Sequence, residues 1–416
     1  MTPLNLFLPC AGGVESFLAD EVARILGLAP APSGPAQGRE RSELRTARGG
    51  VQLTASWPEV MKLNLHSRLA QRVLMQLAHR PYRAEQDLYE AASAVAWEDW
   101  FTPRESFKIE VTAHQSPLKS LNFAALRIKD AVADRFRERG GVRPDVDTQW
   151  PAVRIFAHLS ADAVTLYIDS SGEPLFKRGW REDKGEAPLK ETLAAAMLAA
   201  SGWDATVPLY DPCCGSGTIA IEAAQIAAGI AAGSLRRFGF EKLLPFQAHV
   251  WSALKAEAVP PAQARAPVIF GSDVSHRMVD FAERNAERAG VAAAIQFRGG
   301  DALQRMPPAE SGVIVLNPPY GERIEVGGVA RGREEAQTED GGQFFVQLAS
   351  HWKKNFAGWT AWMLTPDLQL PKRMRLKESR RVPMWNGPIE CRLFRFDMVA
   401  GSARERTPQA ATPDQP

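Results

Sequence analysis

The sequence predicts an α/β protein in which a doubly wound, mostly parallel sheet follows a smaller α+β region, and three observations carry that expectation. From Gly185 onward the short apolar runs "VPLYD", "PVIFGSD", "IQF", "GVIVLN" and "TAWMLT" alternate with stretches of helical character. That is the pattern of a parallel sheet covered by helices on both faces. Earlier in the chain, "FKIEV" sets Phe107, Ile109 and Val111 against Lys108 and Glu110, and "VTLYID" does the same with Val164, Leu166 and Ile168. Period-two alternation marks half-buried strands. The closing run "PIECRLFRFDMVA" offers a last, antiparallel strand.

The chain of 416 residues exceeds what one core fills, about 250 to 300 residues, so two or three domains are expected. A Pro-, Gly- and Arg-rich piece from Ala29 to Gly50 lacks apolar periodicity and reads as a flexible loop. The segment Gly327 to Gly342 and the tail after Ala400 read as mobile for the same reason. Between the early strands, "LNFAALRIKDAVADRFRERGG" places Leu121, Ala125, Ile128, Val132 and Phe136 on one helical stripe. Arg127, Lys129, Arg135, Arg137 and Arg139 fall toward the other face, where interspersed acids make a solvated surface as natural a reading as RNA contact.

Composition bounds the function class. Hydrophobic content of 45% with 24% charged residues describes a folded globular chain. A net charge of +2, from 50 basic against 48 acidic residues, neither demands nor excludes a nucleic-acid partner. Cys10, Cys213, Cys214 and Cys391 form no zinc-type pair of pairs, so no metal is expected and a reducing, cytoplasmic setting is. With no basic leader and no apolar run of spanning length, neither secretion nor a membrane is expected.

In an open parallel sheet, ligands bind where strands end. Asp211 ends "VPLY" and opens the turn "DPCCGSG", in which Gly215 and Gly217 let the backbone adopt positive φ close to a ligand. The spacing of Gly215, Gly217 and Ala220 suits a dinucleotide or another nucleoside equally. Asp273 ends the next strand, where a carboxylate accepts from a ribose diol or caps a helix; Ser275 is better placed as the cap. Asp301 follows the third, ready for an exocyclic amine such as that of adenine or for an N-cap.

The fourth strand end separates the two ligands. "GVIVLNPPYGER" closes on Asn317, Pro318, Pro319 and Tyr320, for which hydride transfer has no use. Methylation of an exocyclic amine does have a use for it. That lone pair is delocalised into the ring, and two acceptors, the Asn317 side chain and the Pro318 carbonyl, can grip both hydrogens and aim it. Proline fixes φ and so holds the carbonyl still, and Tyr320 gives a flat surface for a flipped-out base.

"DPCCGSG" followed by "NPPYGER" resembles the class I S-adenosyl-L-methionine-dependent amino methyltransferases, whose catalytic domain is Rossmann-like. The preceding region, "SLNFAALRIKDAVADRFRERGG" through "KRGWR", resembles a THUMP RNA-binding domain and its junction, as in bacterial 23S ribosomal RNA guanine-N2 methyltransferases. The resemblance runs from "LPCAGGVESFLADEV" to "GPIECRLFRF". It implies a ferredoxin-like unit over 1–60 with its loop at 29–50, a THUMP domain over 61–171, the methyltransferase domain over 172–400 and a disordered tail over 401–416.

The resemblance also implies roles. Asp211, Gly215 and Gly217 would wrap the methionine moiety, Asp273 the ribose and Asp301 the adenine, with Leu189, Lys190 and Glu191 closing over the methionine end. Asn317, Pro318, Pro319 and Tyr320 would hold the base, while Lys177, Arg178 and Arg181, with the basic stretch Pro371 to Arg381, would meet phosphates. Cys213 and Cys214 are not expected to be nucleophiles. One longer fused relative carries a second methyltransferase domain, which nothing after Ala400 is expected to encode. Methylation of transfer RNA, adenine-N6 methylation of DNA, and a non-catalytic assembly role remain as rivals.

Overall fold

The computed structural model describes residues 3–28, 44–185, 188–259, 269–318 and 341–399. Two seven-stranded sheets organise them. The first is built from β1 (Leu4–Pro9), α1 (Glu15–Leu26), β2 (Arg45–Ala47), β3 (Gly50–Ala55), α2 (Trp57–His66) and β4 (Leu74–Pro81). It continues through α3 (Glu85–Ser93), β5 (Phe107–Ala113), α4 (Leu121–Gly140), β6 (Val153–Leu159) and β7 (Ala163–Asp169).

Its strand order is β2-β3-β1-β4-β7-β6-β5, so the units expected at 1–60 and 61–171 share one sheet through the pairing of β1 with β4. Alternate residues Leu6, Leu8, Leu53, Met75, Ile155, Leu166 and Ile168 are buried in the core, as period-two strands require. Two expectations need correction. Arg45–Ala47 and Gly50 are strand rather than loop, because β2 pairs antiparallel with β3 and hydrogen bonding offsets its polar composition; 29–43 lie outside the described residues. On α4 the buried stripe is Ala124, Ile128, Ala131, Val132 and Phe136, while Leu121 is exposed. The basic face of α4 is compensated: Arg135 pairs with Glu98, Arg137 with Asp134 and Lys129 with Asp130.

The second half contains α5 (Glu191–Ser201), β8 (Leu209–Asp211), α6 (Thr218–Ala227), α7 (Ala248–Glu257), β9 (Ile269–Asp273), α8 (His276–Arg288), β10 (Ile295–Gly299) and β11 (Gly312–Leu316). It ends with α9 (Gly341–Asn355), β12 (Trp359–Thr365), α10 (Leu370–Met374), β13 (Arg380–Asn386) and β14 (Ile389–Asp397). The order β10-β9-β8-β11-β12-β14-β13 is parallel through β12, and β14 runs antiparallel, as the sequence predicts. The strand β13 was not expected. It carries Pro383, which lacks a ladder donor, and is accommodated because β13 lies at the sheet edge. β8 has β9 on one side and β11 on the other, and this reversal of strand order opens the crevice in which such sheets bind ligands.

Among the contacts that join the two sheets at their seam, three anchors tie widely separated parts of the chain. At the first, the fully buried Glu222 of α6 accepts from Arg68 at 2.9 Å and from Arg178 at 3.0 Å. Arg178 also donates to the carbonyls of Leu175 and Arg68. Burial alone would raise the Glu222 carboxyl; the two guanidinium groups hold it below its ordinary value instead. At the second, Gly172 (φ +76°) lies against Gly239, and a Cβ on Gly172 would sit 2.9 Å from the Gly239 nitrogen. At the third, the Trp385 amide of β13 donates to the Gly12 carbonyl beyond β1 at 3.2 Å.

Glu222→Gln leaves two buried cations without a counter-charge, and the expected loss is about 3–5 kcal/mol of unfolding free energy. Urea titration followed by tryptophan fluorescence checks this; an unchanged midpoint would mean that the seam does not depend on the pair.

Candidate functional site

The crevice is assembled from the ends of β8, β9, β10 and β11. Asp211 ends β8 at 1% exposure, and its Oδ1 accepts from the Cys213 amide at 3.1 Å. The turn that follows is tied to β9: the Cys214 amide donates to the Ser272 carbonyl at 2.9 Å, and the Gly215 amide to Asp273 Oδ2 at 2.9 Å. Gly215 and Gly217 adopt φ of +51° and +87°, a region that glycine enters without a Cβ penalty. A Cβ on Gly217 would come 2.9 Å from the Ala282 Cβ, whereas one on Gly215 would project into open space. The first glycine of the turn therefore faces the crevice, and the second fits α6 against α8.

Asp273 Oδ1 accepts from the Ser275 amide at 2.9 Å; with two bonds from backbone, its oxygens retain lone pairs for a diol. Ser275 occupies the N-cap position of α8 but makes no side-chain cap bond. Asp301 Oδ1 accepts from the Leu303 amide at 2.9 Å. At the end of β11, Pro318 is buried and the Oδ1 of Asn317 is buried with no hydrogen-bond partner. Among the described residues no donor reaches it, and native proteins rarely leave a buried acceptor unmatched. Pro319, Tyr320 and residues 327–340 of the segment expected to be mobile lie outside the described residues, as does the tail.

The electrostatics follow from burial. Desolvation pushes the Asp211 carboxyl up to about 8, the Cys213 amide opposing it and the Asp273 charge adding to it. Asp273 is raised by burial against the pull of its two amides. The Cys213 and Cys214 thiols are raised well above their ordinary value by burial and by these same acids, which leaves them protonated and poor nucleophiles.

The expected phosphate-binding set divides. Lys177 is exposed and pairs with Glu173. Arg178 is 1% exposed and committed to Glu222, so it cannot meet a phosphate; this corrects the sequence reading. Arg181 turns inward as well, to Glu191 at 2.8 Å, the Leu189 carbonyl at 3.0 Å and Thr218 Oγ1 at 2.8 Å. It therefore stands beside the glycine turn, with the buried Leu189, rather than on an RNA surface. In the Pro371–Arg381 stretch, Lys372, Arg373, Arg375, Lys377, Arg380 and Arg381 are exposed.

Sequence reasoning missed Asn285. It is fully buried on α8, donates to the Ser216 carbonyl at 3.1 Å and to the Asp183 carbonyl at 2.8 Å, and lies on the apolar stripe of Val279, Ala282 and Ala286. A polar residue on that stripe was a usable signal. Among the described residues, no cluster of His, Cys, Asp and Glu is arranged to hold a metal, and no helix is long and apolar enough to cross a membrane.

Comparison with known proteins gives this geometry a family. Residues 178–395, just over half of the chain, match the model described as RMKL-like, methyltransferase domain. The chain belongs to that family. Ahead of its methyltransferase domain, residues 82–169 match the THUMP domain and 39–74 the RlmL ferredoxin-like domain, so the expected fold and resemblance hold.

Curated relatives of this chain include the ribosomal RNA large subunit methyltransferase K/L of Shewanella baltica OS195, 38% identical over 97% of this chain and 54% of its own length. The protein of the same name from Shewanella oneidensis MR-1 is 36% identical over the same shares. The chain thus spans about half the length of the curated relatives it matches. Among solved structures, SMU.472 complexed with SAH has a TM-score of 0.81 at 25% identity, covering 95% of this chain and 98% of its own. A predicted N6-adenine-specific DNA methylase from Listeria monocytogenes has a TM-score of 0.79 at 28% identity, covering 95% and 96%.

The raised carboxyl at the end of β8 has a thermodynamic signature. Between about pH 4 and pH 8 the folded chain holds a proton on Asp211 that the unfolded chain has lost, so this residue subtracts stability as pH rises through that window. Asp211→Asn should therefore raise the Tm at pH 8 and leave it unchanged near pH 4. Calorimetry at both pH values tests this; a Tm at pH 8 no higher than the parent's refutes it.

Proposed function

We propose that this chain transfers a methyl group from S-adenosyl-L-methionine to the exocyclic N2 amine of a guanine in 23S ribosomal RNA, in the reducing cytoplasm. The observation that carries the proposal is the buried, unmatched Oδ1 of Asn317 at the end of β11. An exocyclic amine is the donor that such an acceptor fits, and the curated relatives named as ribosomal RNA large subunit methyltransferases favour RNA as its source. The four cysteines are free, in keeping with a reducing compartment.

The residues present fit the donor molecule. Asp211 and the left-handed Gly215 would hold its methionine part, Leu189 would close over that end, Asp273 would accept from the ribose hydroxyls and Asp301 from the adenine amine. When bound, S-adenosyl-L-methionine supplies an electrophilic methyl group on a sulfonium. The chain's own work is positioning. Asn317 Oδ1 and the Pro318 carbonyl accept the two hydrogens of the target amine, which turns its lone pair out of the ring's conjugation. The base would stack on Tyr320, with Pro319 as a further contact, and its proton leaves during or after transfer, so no strong base is required beforehand. Cys213 and Cys214, held as thiols, take no covalent part.

Unpairing a base costs a few kcal/mol, which favours a loop or a partly assembled large subunit over a finished duplex. The THUMP domain, Lys177 and the exposed cations between Pro371 and Arg381 would hold the phosphates.

A second reading, adenine-N6 methylation, is favoured by the name of the Listeria structure, since the same strand-end tetrapeptide suits that chemistry. The THUMP domain ahead of the catalytic domain argues for RNA instead. The deciding experiment is labelled-methyl transfer to large-subunit assembly intermediates, transfer RNA and DNA, with the product nucleoside read by mass spectrometry. N2-methylguanosine in 23S RNA is expected. The same nucleoside in transfer RNA alone would move the substrate, and N6-methyladenine would replace the reading.

Asn317→Ala should abolish turnover while donor binding survives, measured by calorimetric titration; loss of donor binding would count against its role. RNA affinity should fall steeply with salt, the slope of log K against log[salt] being about −0.7 for each phosphate neutralised on a single strand. A salt-insensitive affinity would remove the phosphate contacts from the proposal.

A further inference from the structure

We propose that Arg181 is a positioning residue for the methyl-donor site: it clamps the glycine turn to the start of α5 and so holds the pocket in its binding shape before the donor arrives. The inference rests on the donor reading above.

The guanidinium makes four contacts across the crevice wall. Nε meets Glu191 Oε1 at 2.8 Å, Nη2 meets the Leu189 carbonyl at 3.0 Å and Thr218 Oγ1 at 2.8 Å, and Nη1 meets Ser216 Oγ at 3.4 Å. Its side chain is 11% exposed and that of Glu191 is 5% exposed, so the ion pair is nearly dry. Ser216 and Thr218 flank Gly217, and Gly215 lies one residue further on. Gly215 and Gly217, both left-handed and separated by Ser216, are residues of high intrinsic backbone freedom, and bonds to their neighbours are what can order them.

The adjoining residues reinforce the clamp. The Glu182 and Asp183 amides donate to Asn285 Oδ1 at 3.3 Å each, and Asn285 in turn donates to the Ser216 carbonyl at 3.1 Å. Asp183 receives Arg284 at 3.0 Å and Arg288 at 2.7 Å from α8. The segment Arg181 to Asp183 therefore ties α5, the glycine turn and α8 together, three walls of one crevice. A planar guanidinium can span these divergent acceptors, and an ammonium cannot.

A pocket ordered in advance binds more tightly, because the ligand does not bear the cost of ordering it. The test titrates S-adenosyl-L-methionine into the full chain by calorimetry and follows amide hydrogen exchange without ligand. Arg181→Gln should weaken binding by about ten-fold and speed exchange in residues 213–218, with β4 and β7 unchanged. Arg181→Lys, which keeps the charge, should fall between variant and parent. Thr218→Val, which removes one acceptor at constant volume, should weaken binding by about three-fold and carries the test should Arg181→Gln not fold.

Binding within two-fold of the parent in the folded variants overturns the proposal, as does faster exchange spread evenly through both sheets, which marks a general structural role. A parent chain that binds no S-adenosyl-L-methionine overturns the donor reading and this proposal with it. Parent binding with indifferent variants removes Arg181 alone.

Discussion

The carboxylate of Glu222 is the point from which the rest of the molecule is held. It is fully buried, and two guanidinium groups from outside its own sheet converge on it, Arg68 from the turn after α2 and Arg178 from the segment between β7 and α5. A buried pair of this kind is weak evidence for stability but a strong constraint on geometry, since neither charge has another place to go. Glu222 lies on α6, whose first residue follows Gly217. Whatever fixes α6 also fixes the turn at its N-terminus, so the seam between the sheets and the shape of the crevice are one mechanical system.

The crevice itself runs against stability. Asp211, Asp273 and Asp301 are gathered at adjacent strand ends, and the first two are raised by burial. Sites that need groups in unfavourable surroundings recover that loss elsewhere. Here the apolar strands β8, β9 and β11, the buried helices α5 and α6, and the ion pairs of residues 178–183 between β7 and α5 supply the compensation.

The strand ends were legible in the sequence because a parallel strand buried on both faces is a run of apolar residues that stops at a polar one, as "VPLYD" and "GVIVLN" do. The sequence hid pairing. Nothing local told that Arg178 belongs to Glu222, 44 positions later, or that Arg181 belongs to Glu191, so both read as free cations beside a presumed RNA track. β2 was hidden by its Arg-rich composition and β13 by Pro383, because strands at or beside a sheet edge are specified by a partner rather than by their own pattern. The unmatched oxygen of Asn317 is different: the residue was visible as a motif, but only the folded chain shows that no donor among the described residues reaches it.

Three anchors of the seam are far apart in sequence: Arg68 and Arg178 on Glu222, Gly172 on Gly239, and Gly12 on Trp385. One contact between two bodies permits a pivot and two permit a hinge; further contacts, of Gly233 with Leu65, Phe240 with Ser170 and Leu244 with Trp100, restrict both motions. Under the proposed function the protein then works as a caliper of fixed opening. A guanine would be chosen by its distance from the element gripped by the N-terminal sheet as well as by its own chemistry, and the bending needed to close that distance would be done by the RNA.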